Sequence, residues 1–223
     1  MLRGRETSRS GLFFSMRWHT KSDSVAVSDD GASCSHECNS WDTACGDTWF
    51  SQGIVTIELL TDEVDRPSLY AGIISRDHIF EEDTLCMHGD GRVFIRTLEK
   101  DWGLMRMESG SSVRFILDFN TKSLKIVLAR TIRGKAKETI AEVPGLFAEA
   151  TLAVCFGGKG QRVTIGETKV DTSGGDTAAP IARDVFVEAM GQPVAPLTLG
   201  AAERGDAEAS AAAEVAKVAA TMG

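Results

Sequence analysis

Two neighbouring stretches of this chain alternate polar and apolar residues with a period of two, and a tight turn joins them. Val113-Arg114-Phe115-Ile116-Leu117-Asp118-Phe119 runs into Asn120-Thr121-Lys122 and returns as Ser123-Leu124-Lys125-Ile126-Val127-Leu128. Successive side chains of a strand point to opposite faces, so this pattern buries one face of a hairpin and wets the other. Ser109-Gly110-Ser111-Ser112 supplies the turn before it. A lone hairpin is marginal in water, so other strands must cover the apolar face.

The sequence offers them. Gly53-Ile54-Val55-Thr56-Ile57-Glu58-Leu59-Leu60 is β-branched and partly alternating. Thr61 to Ser68 is acidic, holds Pro67 and reads as a loop. Leu69-Tyr70-Ala71-Gly72-Ile73-Ile74-Ser75 is a second strand, and Arg92-Val93-Phe94-Ile95-Arg96 a third, after the turn signal Gly89-Asp90-Gly91. A short strand is expected around Glu138-Thr139-Ile140, and others over Ala148 to Phe156 and Arg162-Val163-Thr164-Ile165. Helical periodicity is absent between residues 49 and 166, and no internal repeat is visible. Short strands with frequent turn signals predict an all-β, antiparallel sandwich or barrel.

The flanks differ in composition. Met1 to Ser22 carries Arg3, Arg5, Arg9, Arg17 and Lys21 against one acid, Glu6, with Leu12, Phe13, Phe14, Met16 and Trp18 as its apolar part. That composition suits an organellar transit peptide, and equally a disordered or loosely docked basic leader. Residues 22–47 are rich in Ser, Asp, Gly and Cys and read as loop. Asp171 to Pro180 reads as a linker, Ile181 to Met190 as a short helix or strand, and Ala201 to Met222 as an alanine-dominated helix or frayed tail. The expected division is therefore a leader and polar loop outside the core over 1–46, a sandwich over 47–167, and a linker with an Ala-rich tail over 168–223.

Charge and cysteine usage narrow the function classes. A formal net charge of −8 argues against a dedicated nucleic-acid binder, because phosphate contacts need clustered Lys and Arg. No stretch approaches the roughly 18 apolar residues of a membrane span. An odd count of 5 cysteines, with no secretory h-region, favours a reducing, intracellular compartment. The cytoplasm is the first expectation, and a mitochondrion or plastid, reached through the basic leader, the alternative.

The order and wording of the strands resemble the SPRY domain family over about residues 47–167. Trp49-Phe50 and Gly53-Ile54-Val55-Thr56-Ile57-Glu58 look like the family's opening, and Tyr70-Ala71-Gly72-Ile73-Ile74 like its glycine-containing second strand. The family's hairpin is matched by Gly110-Ser111-Ser112-Val113, Leu117-Asp118, Leu124 and Ile126. Phe147 to Phe156, Gly157, Gly160 and Val163-Thr164-Ile165 are similar to its closing strands. Two places depart from the pattern. Leu128-Ala129-Arg130-Thr131 stands where an Asn-Gly usually follows the hairpin, and Ile54-Val55-Thr56-Ile57 where a Trp-Glu-Val-x-Val is usual. The resemblance implies a concanavalin A-like jelly-roll sandwich and protein recognition through loops at one end of it.

Catalytic patterns fail one by one. Glu63-Val64-Asp65 lacks the further acid of a sandwich-fold glycosidase, with Ser68 in that place and Pro67 interrupting the strand. Cys86 and His88 share a strand face and could form a thiol–imidazole pair, although an edge-strand histidine is the plainer reading. No G-x-S-x-G elbow exists, and Gly158-Lys159-Gly160 precedes a strand rather than a helix. Asp90 between two glycines reads as turn chemistry rather than a calcium ligand. Cys34, His36, Cys38 and Cys45 offer four zinc ligands at an irregular spacing, for which a flexible polar loop is the plainer reading.

What remains is recognition. Tyr70, Arg92, Asp101, Trp102 and Arg106 lie in or near loops, and Trp and Arg are enriched at binding hot spots. Trp102 could equally be a core aromatic beneath a loop. The expectation is a non-enzymatic module that binds a protein or peptide partner, with no cofactor and no metal. A lectin-like sugar binder, a structural subunit of an organellar complex and a hydrolase on the same scaffold are the rivals.

Overall fold

The computed structural model describes residues 11–20, 22–64, 68–75, 84–95, 98–171 and 181–182. Among them there is no helix. The strands are β1 Gly11–Phe14, β2 Trp18–His19, β3 Val25–Val27, β4 Ser33–His36, β5 Asp42–Gly46, β6 Thr48–Trp49, β7 Ile54–Glu63, β8 Leu69–Ser75 and β9 Thr84–His88. They continue with β10 Arg92–Ile95, β11 Leu98–Asp101, β12 Ser111–Asp118, β13 Ser123–Ile132, β14 Lys135–Pro144, β15 Ala150–Phe156, β16 Arg162–Asp171 and β17 Ile181–Ala182.

Two antiparallel sheets face each other. The first runs β14-β13-β12-β7-β16-β4-β3, and β1 joins β16 beyond the end of β4. The second runs β11-β10-β9-β8-β15-β5-β2. The polar–apolar alternation of residues 113–128 sets the packing of the first. Val113 pairs Leu128, Phe115 pairs Ile126 and Leu117 pairs Leu124, and all six side chains are fully buried. Val55, Ile57 and Leu59 of β7 extend the same apolar layer. Ala71, Ile73, Leu85, Met87, Val93, Leu152 and Val154 oppose it from the second sheet.

β15 is buried at every position, so the second sheet is covered on both faces at this central strand. The outward face of the first sheet carries ion pairs, Arg114 with Glu138, Lys125 with Glu142 and Arg162 with Glu63, which mark a solvated surface. The hairpin of β13 and β14 is longer than expected. Ten residues of each strand pair, and Arg133-Gly134, both at positive φ, close it. That is the mirror-image two-residue turn that matches strand twist, so an Arg-Gly closes the hairpin several residues beyond the place where Asn-Gly was missed.

The expected boundary at residue 47 does not hold. Residues 22–47 contain β3, β4 and β5, and the preceding segment contributes β1 and β2. Met16, Trp18, Val25, Cys34 and Ala44 are buried in the main core. The inward positions of β4 and β5 are filled by Cys, His and Ala, which have little apolar bulk and leave a weak periodic signal. The apolar residues credited to a leader are thus partly structural. At the other end Ile181–Ala182 pairs Thr48–Trp49. The Ala-rich tail, the basic residues before position 11, Arg96, Asp65 and Pro67 lie outside the described residues.

Candidate functional site

One end of the sandwich gathers four connections: residues 37–41 between β4 and β5, Ser68 before β8, the β9–β10 turn, and residues 157–161 between β15 and β16. They are tied to one another. Lys159 N donates to Asn39 Oδ1 at 3.1 Å, and Gln161 Nε2 donates to Ser68 Oγ at 3.3 Å. Gln161 Oε1 accepts from the backbone of Gly157 and Gly158. Gly89 N donates to Leu69 O at 2.8 Å.

Beside this end, the outward face of the second sheet adds a cluster of aromatic rings to its ion pairs. Tyr70 and His88 are register partners with ring centroids 4.6 Å apart. Tyr70 also meets Phe94 edge-on at 5.7 Å and Trp41 at 5.6 Å. Trp41 lies over Gly157, where a Cβ would come within 2.5 Å of the indole, so the glycine makes room for the ring. The Arg92 guanidinium sits 5.9 Å from the Phe94 ring centroid.

Charges frame the rings. Asp90 Oδ2 accepts from Arg92 Nε at 2.7 Å, and Asp90 Oδ1 lies 2.9 Å from His88 Nδ1. Arg92 Nη1 donates to Glu99 Oε1 at 2.9 Å. Burial alone would raise the Asp90 carboxyl, but His88 and Arg92 outweigh it and hold it below the usual carboxylate range. Burial pushes the Tyr70 phenol up to about 12, helped by Cys86. The arrangement can hold a planar or aromatic group against Trp41 and Tyr70 and pair a carboxylate or carbonyl with Arg92.

Of the five expected recognition residues, Tyr70 and Arg92 are brought together. Asp101 is exposed opposite Arg92 in the β10–β11 register, with its carboxylate accepting from Gly103 N at 2.8 Å. Trp102 packs on the main core, with Lys100 Nζ 4.3 Å from its ring centroid. It belongs to the loop that crosses the β9–β10 turn, where Gly91 would put a Cβ 2.4 Å from Leu104 O. Arg106 is exposed on the same loop. Trp41 and Phe94 were not anticipated, and their signal lies in strand register, which the sequence does not print. His88 turns to Tyr70 and Asp90.

The four zinc candidates do not converge. Cys34 is in the main core and Cys45 in a small cluster with Trp49, Ile74 and Ala153. Burial pushes both thiols up, Cys45 to about 12, so they behave as small apolar groups. His36 and Cys38 do meet, together with Asp42. None of the five cysteines is in a disulfide.

This topology is shared with solved structures. The SPRY domain of human HERC1 superposes with a TM-score of 0.53 at 15% identity, over 67% of this chain and 93% of that one. The fold is that of a SPRY domain. The TRIM65 PSpry domain gives 0.49 at 13% identity, over 68% of this chain and 91% of that one. Peanut lectin gives 0.45 at 11% identity, over 72% of this chain and 97% of that one. No protein-family model matches the sequence, and no curated protein matches it. With the SPRY-like fold in place, residues 37–41, 89–91 and 157–161 are loops at one end of the sandwich. No helix among the described residues is long and apolar enough to cross a membrane.

Proposed function

We propose that this chain is a protein-recognition module, which takes a partner peptide or protein surface at the end of the sandwich where Trp41, Tyr70, His88, Phe94 and Arg92 cluster. The observation that carries the reading is the contrast between the two outward faces. Both carry ion pairs, and only the second adds a half-buried Trp–Tyr pair beside an arginine. Aromatic and Arg anchors held in place by their neighbours lose little freedom on binding, which is the property of hot-spot residues. The SPRY-like fold supports the same reading, since loops on a rigid sandwich are a common place for recognition. A reducing, intracellular compartment is part of the proposal, in keeping with Cys34, Cys45 and Cys155 buried as thiols in apolar strands.

Affinity purification from the native cell tests it, with wild type beside Trp41→Ala, Arg92→Glu and a control on the opposite sheet, Lys125→Glu. The expected result is a partner retained by the control and lost by both site variants. A partner set identical in all four would remove the site. A glycan array read in parallel addresses the lectin-like rival, and saturable sugar binding abolished by Trp41→Ala would replace the protein-binding reading.

A further inference from the structure

His36 is the most deeply buried polar side chain at this end of the molecule, at 1% exposure, with its ring stacked on Phe156 at 5.6 Å. Its Nδ1 lies 3.0 Å from Gly158 O. A carbonyl oxygen only accepts, so Nδ1 carries hydrogen and donates. The other nitrogen faces outward onto two further groups. Nε2 lies 2.9 Å from Asp42 Oδ2 and 3.7 Å from Cys38 Sγ. Sγ and Oδ2 are 3.9 Å apart, closing a triangle. A neutral imidazole in this tautomer would point its Nε2 lone pair at a carboxylate, which is unfavourable. Something positive must lie between them, either a proton on Nε2 or a cation.

We propose that His36 Nε2, Cys38 Sγ and Asp42 Oδ2 form a three-ligand site for a divalent zinc-like metal, with a fourth position open to solvent. The dimensions fit. Tetrahedral zinc, with bonds of about 2.0 Å to nitrogen and oxygen and about 2.3 Å to sulfur, separates its ligand atoms by about 3.3–3.6 Å. The three observed separations, 2.9, 3.7 and 3.9 Å, reach that set by shifts of a few tenths of an ångström. An imidazole, a thiolate and a carboxylate together select a late transition metal over magnesium or calcium.

The surroundings are those a metal site uses. A ligating histidine ordinarily donates its second N–H to a backbone carbonyl, as His36 does to Gly158. Ser22 Oγ donates to Asp42 Oδ1 at 2.5 Å and leaves Oδ2 for the metal. The exposed Ser40 hydroxyl bridges Cys38 and Asp42, and it is the group a metal would displace by a side-chain rotation. All three ligands come from one loop of the β4–β5 connection and its ends, so binding would also fix Trp41, the residue next to Asp42.

Cobalt(II) and zinc titrations of the chelator-treated full chain decide the matter. The expected result is a single equivalent of Co2+ with a thiolate-to-metal charge-transfer band in the near ultraviolet and tetrahedral visible bands, all displaced by Zn2+. Cys38→Ser should abolish the charge-transfer band, and Asp42→Asn should weaken zinc by at least about a hundredfold, since changes outside the ligand set alone cost 10- to 100-fold. Cys34→Ser should leave the spectrum unchanged. A charge-transfer band that survives Cys38→Ser would overturn the site. So would a 15N spectrum in which His36 carries hydrogen on both nitrogens and does not change with zinc, because the pair would then be a simple imidazolium–carboxylate contact. Thermal melting of each variant separates loss of metal from loss of fold.

Discussion

Tyr70 and His88 face each other across neighbouring antiparallel strands, with ring centroids 4.6 Å apart on the outward side of the second sheet. The chain has 1 tyrosine, so its ionisation can be followed by absorbance without assignment. Burial raises that phenol to about 12, against an ordinary value of about 10. The folded state therefore holds this proton more tightly than the unfolded chain does. Its stabilising contribution is complete below about pH 10 and disappears as pH rises towards 12. The expected tyrosinate midpoint near 12 in the native protein should fall to about 10 in denaturant. A native midpoint at the ordinary value would show that Trp41 and Phe94 do not desolvate the ring.

Phe115 is fully buried in the hairpin that dominates the sequence pattern, and it pairs with Ile126 on one side and Ile57 on the other. Phe115→Ala should cost about 3–5 kcal/mol of unfolding free energy, from lost transfer energy plus the cavity left behind. Ile140, on the solvated strand β14 and half exposed, is the counterpart, and Ile140→Ala should change stability by less than about 0.5 kcal/mol. Urea unfolding with a common m-value measures both.

Trp18 tests the corrected boundary of the sandwich. It lies in β2, pairs with Gly46 and is buried in the main core. If residues before 47 were a leader lying outside the fold, Trp18→Ala would be neutral. With the indole in the core, the expected loss is about 3–5 kcal/mol, read by the same denaturation experiment.

The parts of the fold that were legible are those where apolar bulk alternates. β7, β8, β12, β13 and β15 were each anticipated to within a few residues because Val, Ile, Leu and Phe occupy the inward positions. β4 and β5 carry no such signal, because Cys34, His36 and Ala44 fill the same inward role with small or polar side chains. The site divides similarly. Tyr70 and Arg92 stand out by residue type, whereas Trp41 becomes a site residue only through its fit over Gly157, which belongs to a connection more than a hundred residues away. The spacing of the cysteines carries no sign of Asp42, because Cys34 and Cys45 turn into the apolar interior and a carboxylate takes their place beside His36 and Cys38.

Gly157 links the fold to the proposed site. A Cβ there would meet Trp41 Cη2 at 2.5 Å, Cζ3 at 2.6 Å and Ser68 O at 2.8 Å. Gly157 carries no left-handed backbone angle, so Gly157→Ala acts through this crowding and not through strain in φ. The Ser68 carbonyl is backbone and yields little, so the indole must move off Tyr70. Overpacking of this kind costs about 1–3 kcal/mol. The distinguishing outcome is functional: Gly157→Ala should weaken partner capture to the level of Trp41→Ala, and the double variant should lose no more than either single one. Additive losses would mean that Gly157 and Trp41 serve separate surfaces. Gly160→Ala, in the same connection but with no atom within 4 Å of its Cβ position, provides the control. It suffers only the strain of its positive φ, and it should retain the partner while losing some stability.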